Sequence, residues 1–191
     1  MHLRRQHNPK PEDIREVICT VSPGQYHRNF EPESIKYTPP NGYSTLSSIP
    51  YMVAAALVEG RATLAEVSDE KVKDPKILKI ARKVTRTVDP SFEDYRSASV
   101  AIKMKDGHVY EHDQTAALGS PDMPAPREMI EDKFLANVDG FLSKGRAQTV
   151  IDTVARLEDL HQVSELMRLL RKDLTYNGIQ VQSDGYKDPA E

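Results

Sequence analysis

The sequence predicts an α+β fold: a small mixed sheet with packed helices, followed by a C-terminal helical segment. Short β-branched runs typical of strands come between capped, apolar helical stretches in the first part of the chain. A hairpin pattern follows them, and from Pro126 to Leu174 apolar residues recur at helical spacing. Strands and helices in this order are typical of an α+β arrangement rather than a doubly wound parallel sheet.

The first predicted strand runs from Glu16 to Val21, within IREVICTVSPG. The segment from Gln25 to Thr45 is polar, proline-rich and dotted with aromatic residues, so it is predicted to be a long loop and a candidate binding loop. The apolar run behind it predicts a helix over about Ile49 to Glu59. Ser48 is its expected N-cap, and Gly60 is placed to end it.

A second amphipathic helix is predicted to open at Pro75, with Asp74 as its N-cap. A short strand follows it in TRTVDP. The alternating apolar residues of SASVAIKMKDGHVYEHDQ, broken by Asp106 and Gly107, predict a β-hairpin.

A Gly- and Pro-rich connector, GSPDMPAPREM, predicts a domain boundary. We expect residues 1–120 to form an α+β domain, residues 121–175 to form C-terminal helices, and residues 176–191 to be a mobile tail. The apolar stripes of the last three helices cannot fully cover one another. They therefore predict a missing partner, in the sheet, in another chain or in a segment absent from this one.

Charge and composition exclude several classes of protein. The net charge is −3 with acids and bases interspersed, which argues against nucleic acid or an anionic membrane as the main partner. Cys19 is the single cysteine, so no internal disulfide and no cysteine-built zinc site is expected. The longest apolar run, Ile49 to Val58, is too short to span a bilayer, and no secretion signal precedes it. A cytoplasmic protein is the expectation.

No motif predicts a metal or a cofactor. His108 and His112 are four residues apart but fall on the predicted hairpin, where that spacing does not bring both to one ion. GxGxxG, Walker, GxSxG and HExxH patterns are absent from the sequence.

The predicted loop contains the strongest candidate site. Phenols, an imidazole and a guanidinium precede a capped helix N-terminus, a combination that suits a carboxylate ligand. The alternative is a surface loop whose aromatic residues pack on the sheet, and both interpretations stay open. The residues concerned are Tyr26, His27, Arg28, Tyr37 and Tyr43.

Several stretches, in order, resemble the MmgE/PrpD family, which includes 2-methylcitrate dehydratase, cis-aconitate decarboxylase and iminodisuccinate epimerase. The resemblance covers Leu3 to about Leu170 and is carried by LRRQHNPKPEDIREVICTVSP, YSTLSSIPYMVAAALVEGRATLAEV, DPKILKIARKVTRTVDP, VAIKMKDGHVYE, PREMIEDKFLANV and VARLEDLHQVSELMRLL. It implies an α+β lid domain inserted into a large helical domain. By the same resemblance this chain begins inside the lid and lacks the helical domain that supplies other catalytic groups, so it is a fragment, a truncated gene model or one chain of a split protein.

The resemblance also implies a function: a metal-free lyase or isomerase of small polycarboxylates, similar to 2-methylcitrate dehydratase of propionate metabolism, and inactive as this chain alone. The family's lid tyrosine aligns with Tyr26 or Tyr37, which are the candidate catalytic residues, while Arg28 and Ser48 are the candidate substrate-binding residues. No base is assigned. The expected partners are the missing helical domain or further copies in a homo-oligomer. The alternative function is a non-catalytic α+β module that dimerises through its helical stripes.

Overall fold

The computed structural model describes residues 1–92 and 97–171. Contacts divide the described chain into two compact units, residues 1–124 and the residues from Ala125 onward. The expected tail, residues 176–191, lies outside the described residues. Each unit is built around its own apolar cluster.

The first unit is organised around a four-stranded mixed sheet. Its strands are β1 (Ile14–Val21), β2 (Val84–Val88), β3 (Ala98–Met104) and β4 (Val109–Gln114), and their order across the sheet is β2-β1-β3-β4. β1 lies between a parallel neighbour, β2, and an antiparallel neighbour, β3, and β3 and β4 form the expected hairpin. The α+β prediction is confirmed.

Within residues 1–92 and 97–124, six α-helices accompany this sheet, with three short 3-10 segments at Pro11–Asp13, Leu64–Val67 and Lys71–Lys73. The helices are α1 (His2–His7), α2 (Pro23–Phe30), α3 (Glu33–Lys36), α4 (Gly42–Thr45), α5 (Ile49–Glu59) and α6 (Pro75–Ala81).

The prediction of a long loop over Gln25 to Thr45 is wrong, because the segment holds most of α2 and all of α3 and α4. Polar side chains cap two of these helices: Ser22 Oγ, just before the segment, accepts from the Gln25 N–H at 3.3 Å, and Asn41 Oδ1 accepts from the Ser44 N–H at 2.9 Å. Side chains of this kind satisfy the free N–H groups of short helices.

Helix α5 begins and ends where its sequence predicts. Ser48 Oγ accepts from the Tyr51 N–H at 3.1 Å, and Gly60 ends the helix in the left-handed conformation at φ 71°. Tyr51, Ala54 and Ala55 are fully buried in the core of the first unit. The helix is therefore the central apolar element beside the sheet.

Hydrogen bonds to two carboxylates, those of Glu66 and Asp69, fix the chain that follows α5. The Glu66 carboxylate, which has no solvent exposure, accepts from Arg61 Nε at 2.7 Å and from the N–H and hydroxyl of Thr63 at 2.8 Å each. The Gly42 N–H, at the start of α4, donates to Asp69 Oδ1 at 2.7 Å. Buried polar groups are stable only when they are satisfied in this way.

The second unit contains α7 (Arg127–Val138), α8 (Lys144–Val154) and α9 (Val163–Leu169), with a 3-10 turn at Leu157–Asp159. Leu142, Ala147 and Val150 form its small core. Many apolar side chains of the predicted stripes stay exposed: Ile130, Val154, Leu157, Val163, Met167 and Leu170. Such a concentration of exposed apolar surface is unusual for a free-standing unit.

Among the described residues, no helix is both long and apolar enough to cross a membrane.

Candidate functional site

Tyr26 and Arg28 lie on α2, where Tyr26 is half-buried and Arg28 is exposed. The Tyr26 ring stacks on Phe30 with a centroid distance of 6.5 Å. The Arg86 guanidinium carbon lies 5.4 Å from the centre of the same ring, a cation–π distance. One face of the phenol is therefore beside a permanent cation.

Arg86, on β2, is a residue that the sequence analysis missed. It forms an ion pair with Glu33 of α3, and Tyr26 and Glu33 together raise the pKa of its guanidinium. Strand side chains alternate between the two faces of a sheet, so Arg86 shares the face of the buried Val84. The sequence signal for Arg86 is a charged residue two positions after Val84, on the strand face that is otherwise expected to be buried.

Tyr37 follows α3 and is half-buried. Its hydroxyl donates to the Val84 carbonyl at 2.9 Å, and burial raises the pKa of the phenol while Arg86 partly opposes that rise. The structure thus brings Tyr26 and Tyr37 together around Arg86, but the Tyr37 proton is held by a backbone acceptor.

Ser48 is almost completely buried. Its hydroxyl donates to the Lys36 carbonyl and accepts from the Tyr51 N–H, so both of its hydrogen-bonding roles serve the fold. The substrate-binding role stays a prediction, and the cap is the role that the described contacts explain.

Lys36 is a second residue that the sequence did not predict for the site, because its stretch is predicted to be an exposed loop. In the structure only 7% of Lys36 is exposed. Its ammonium donates to the Ser47 carbonyl at 2.7 Å and to Ser47 Oγ at 2.8 Å. Burial, and then the charge of Arg28, lowers the pKa of this ammonium. The Lys36 ammonium is thus bound by Ser47, just before the N-terminus of α5, and no carboxylate is among its described partners.

Ser48→Ala tests the importance of this cap. We expect the substitution to lower the free energy of unfolding by about 1–2 kcal/mol, because it removes the cap and leaves the buried Lys36 carbonyl without its donor. Urea unfolding measures the change. Ser34→Ala, at an exposed position of α3, is the control and should change little; equal effects of the two substitutions would contradict the buried role of Ser48.

The arrangement suits recognition of carboxylates better than complete catalysis. Arg86 places a cation beside the Tyr26 ring, Arg28 and Lys36 add two further positive charges on α2 and α3, and Arg in particular can bind a carboxylate in a bidentate manner. His27 is exposed, and its Nδ1 lies 2.7 Å from Glu31 Oε2. This contact gives no reason to assign His27 as the catalytic base. In the part of the chain that the structure describes, no group of three or more His, Cys, Asp or Glu side chains could hold a metal ion.

Comparisons with known proteins point to one family. The model of the MmgE/PrpD C-terminal domain matches residues 1–159. Cis-aconitate decarboxylase of Mus musculus is 28% identical over 164 residues, which is 84% of this chain and 32% of that protein. Cis-aconitate decarboxylase of Homo sapiens is 26% identical over 176 residues, 89% of this chain and 35% of that protein. The chain thus spans about a third of the length of these relatives.

Proposed function

This chain belongs to the MmgE/PrpD family, whose C-terminal domain it contains, and from that premise we propose that it is part of a lyase or isomerase of small polycarboxylates. The match of the family model over residues 1–159 is the observation that carries the proposal. The relatives support the substrate class, since both are named for the decarboxylation of cis-aconitate, a tricarboxylate. Decarboxylation of cis-aconitate is the first reaction to test within this class, and dehydration of 2-methylcitrate is the second.

The roles proposed for individual residues follow from their contacts. Arg28 is exposed and carries the charge to bind a substrate carboxylate, while Arg86 already holds one carboxylate, that of Glu33. Between the two candidate acids we favour Tyr26, because it lies beside Arg86, whereas the hydroxyl of Tyr37 donates to Val84 and has a raised pKa.

Dehydration and epimerisation need a base that removes a proton next to a carboxylate, whereas decarboxylation releases CO2. All three need cations that hold the developing charge and an acid that protonates the leaving hydroxyl or the carbon. The described residues supply candidates for the last two functions. We therefore propose that the chain alone recognises substrate weakly and does not turn it over. Turnover of cis-aconitate or 2-methylcitrate by the purified chain at ordinary enzyme rates, about 1–1,000 per second, would contradict this.

Arg28→Gln tests the recognition site directly. We expect the affinity of the chain for citrate and cis-aconitate to fall about tenfold, as loss of one charge-assisted hydrogen bond produces. NMR titration of the ¹⁵N-labelled chain measures the affinity, with acetate as the ligand that has a single carboxylate. Arg82→Gln, which removes an exposed guanidinium at the end of α6, is the matched control. Equal weakening by both substitutions, or no saturable binding of either tricarboxylate, would count against the site.

The second candidate function, a non-catalytic module that associates through its helices, is favoured by one observation. Ile130, Val154 and Met167 are each more than half exposed on the second unit, at 60%, 51% and 55%. Sedimentation, thermal unfolding and the tricarboxylate titration together decide between the enzyme part and the module. A single discrete oligomer, a cooperative thermal transition and no affinity for tricarboxylates would favour the module.

A further inference from the structure

A cavity of about 280 Å³ lies between α1, α5 and the β3–β4 hairpin, and we refer to it as the α1–α5 cavity. Its size is just below the range of about 300–1,000 Å³ that small-molecule sites occupy. Its wall is apolar and is formed by Ile49, Met52, Val53, Ala56, Val100 and Ile102. None of the tyrosine, arginine and lysine residues of the candidate carboxylate site lines it.

The apolar wall follows from the sequence of α5. Ile49, Met52, Val53 and Ala56 recur at spacings of three and four residues, so they share one face of the helix. Ile49, Met52 and Val53 are only partly buried, while Ala54 and Ala55, on the other side of the helix, have no exposure. Part of the most apolar helix of the first unit thus borders space that its own side chains do not fill.

The polar side chains that line the α1–α5 cavity are basic: His2, Arg4 and His112. Arg4 Nε donates to the Leu57 carbonyl at 3.1 Å, which fixes the guanidinium at the last turns of α5. That bond uses one of five guanidinium N–H groups, so the terminal nitrogens can serve a ligand. His2 and His112 stack with their ring centroids 4.3 Å apart.

No carboxylate is among the described residues that line the α1–α5 cavity. A cationic group at the edge of an apolar wall is complementary to a ligand with one anionic head and an apolar body. A ligand with several carboxylates fits poorly, because the apolar wall would strip water from the additional charges and give them no partner.

We propose that the α1–α5 cavity binds a small amphipathic monocarboxylate, with its carboxylate on Arg4 and its hydrocarbon body against α5 and β3. The site is separate from the proposed polycarboxylate site, so either can be wrong without the other.

Octanoate and 1-octanol, which share a hydrocarbon chain and differ in the head group, test the proposal on the full chain. We expect saturable one-to-one binding of octanoate by calorimetry or NMR, and binding of 1-octanol about tenfold weaker, as for the loss of one charge-assisted interaction. Arg4→Gln should weaken octanoate about tenfold and leave 1-octanol unchanged. Arg5→Gln, at an exposed position of the same helix, should change neither affinity.

Val53→Phe fills the α1–α5 cavity and should abolish binding of both probes while the chain remains folded. If Val53→Phe does not fold, the comparison of Arg4→Gln with Arg5→Gln still decides the matter. Equal affinities for octanoate and 1-octanol would overturn the anionic part of the proposal, as would equal effects of the two arginine substitutions. Absence of saturable octanoate binding, or citrate competing for the same residues, would overturn it entirely.

Discussion

Gly42→Ala should be severely destabilising, with a loss of more than about 4 kcal/mol in the free energy of unfolding. A Cβ at this position would lie 1.9 Å from the Val67 carbonyl oxygen and 2.9 Å from its carbonyl carbon. Both are backbone atoms, which cannot rotate away as a side chain can. Relief of the clash requires α4 to separate from the 3-10 segment at Leu64–Val67, which also disturbs the bond from the Gly42 N–H to Asp69.

Urea unfolding at constant pH measures this loss, and soluble yield gives an early indication, since total stabilities are only about 5–15 kcal/mol. Gly24→Ala is the matched control: a Cβ there meets no atom within 4 Å, and the residue is exposed in the first turn of α2. We expect the control to stay within about 0.5 kcal/mol of the parent chain. An unchanged unfolding midpoint for Gly42→Ala would contradict the close approach of the two backbones.

Glu66→Gln should cost about 2–3 kcal/mol at neutral pH, because the substitution removes a buried carboxylate charge that pairs with the largely exposed Arg61 and places an amide against the N–H donors of Arg61 and Thr63. Burial by itself would raise the pKa of the Glu66 carboxyl. The hydrogen bonds from Thr63 and Arg61 outweigh burial, so the pKa lies below its ordinary value.

A carboxyl with a depressed pKa stabilises the folded chain fully above the pKa that it has when unfolded, about 4.3, and loses this contribution as the pH falls toward its folded pKa. The penalty of Glu66→Gln should therefore be largest near neutral pH and should shrink below about pH 4. Urea unfolding of both proteins across this range measures it. Glu111→Gln, on the exposed side of β4, is the control. A penalty that is the same at both ends of the range would show that the Glu66 charge is not the stabilising element.

Elements with their own stop and start signals could be predicted from the sequence. Helix α5 carries a serine cap, an early proline and a terminal glycine, and the structure places it where those signals do. The segment from Gln25 to Thr45 lacked such a pattern because α3 and α4 are four residues each. A helix of about one turn is too short to show a repeat of 3.6 residues. Its polar capping residues are therefore indistinguishable, in sequence, from the polar residues of a loop.

The candidate site could be predicted only in part. Tyr26, Arg28 and Tyr37 stand out by residue type within one stretch of sequence. Arg86 reaches the same cluster only through the parallel register of β2 beside β1, and Lys36 is buried only because its ammonium meets Ser47 at the start of α5. These contacts depend on tertiary structure, which local patterns do not contain.

The position of β1 in the sheet has a consequence for the order in which the chain folds during synthesis. β1 is made first among the strands, yet Val17 pairs with Val84 on one side and with Ile102 on the other. At about 5–20 residues per second, a ribosome needs several seconds to supply both partners. The β3–β4 hairpin, whose contacts are local, is therefore expected to form before the sheet is complete. The nascent β1 has no partner on one edge until β2 is made, and none on the other edge until β3 is made. Unpaired edges are the surfaces to which chaperones and other strands bind.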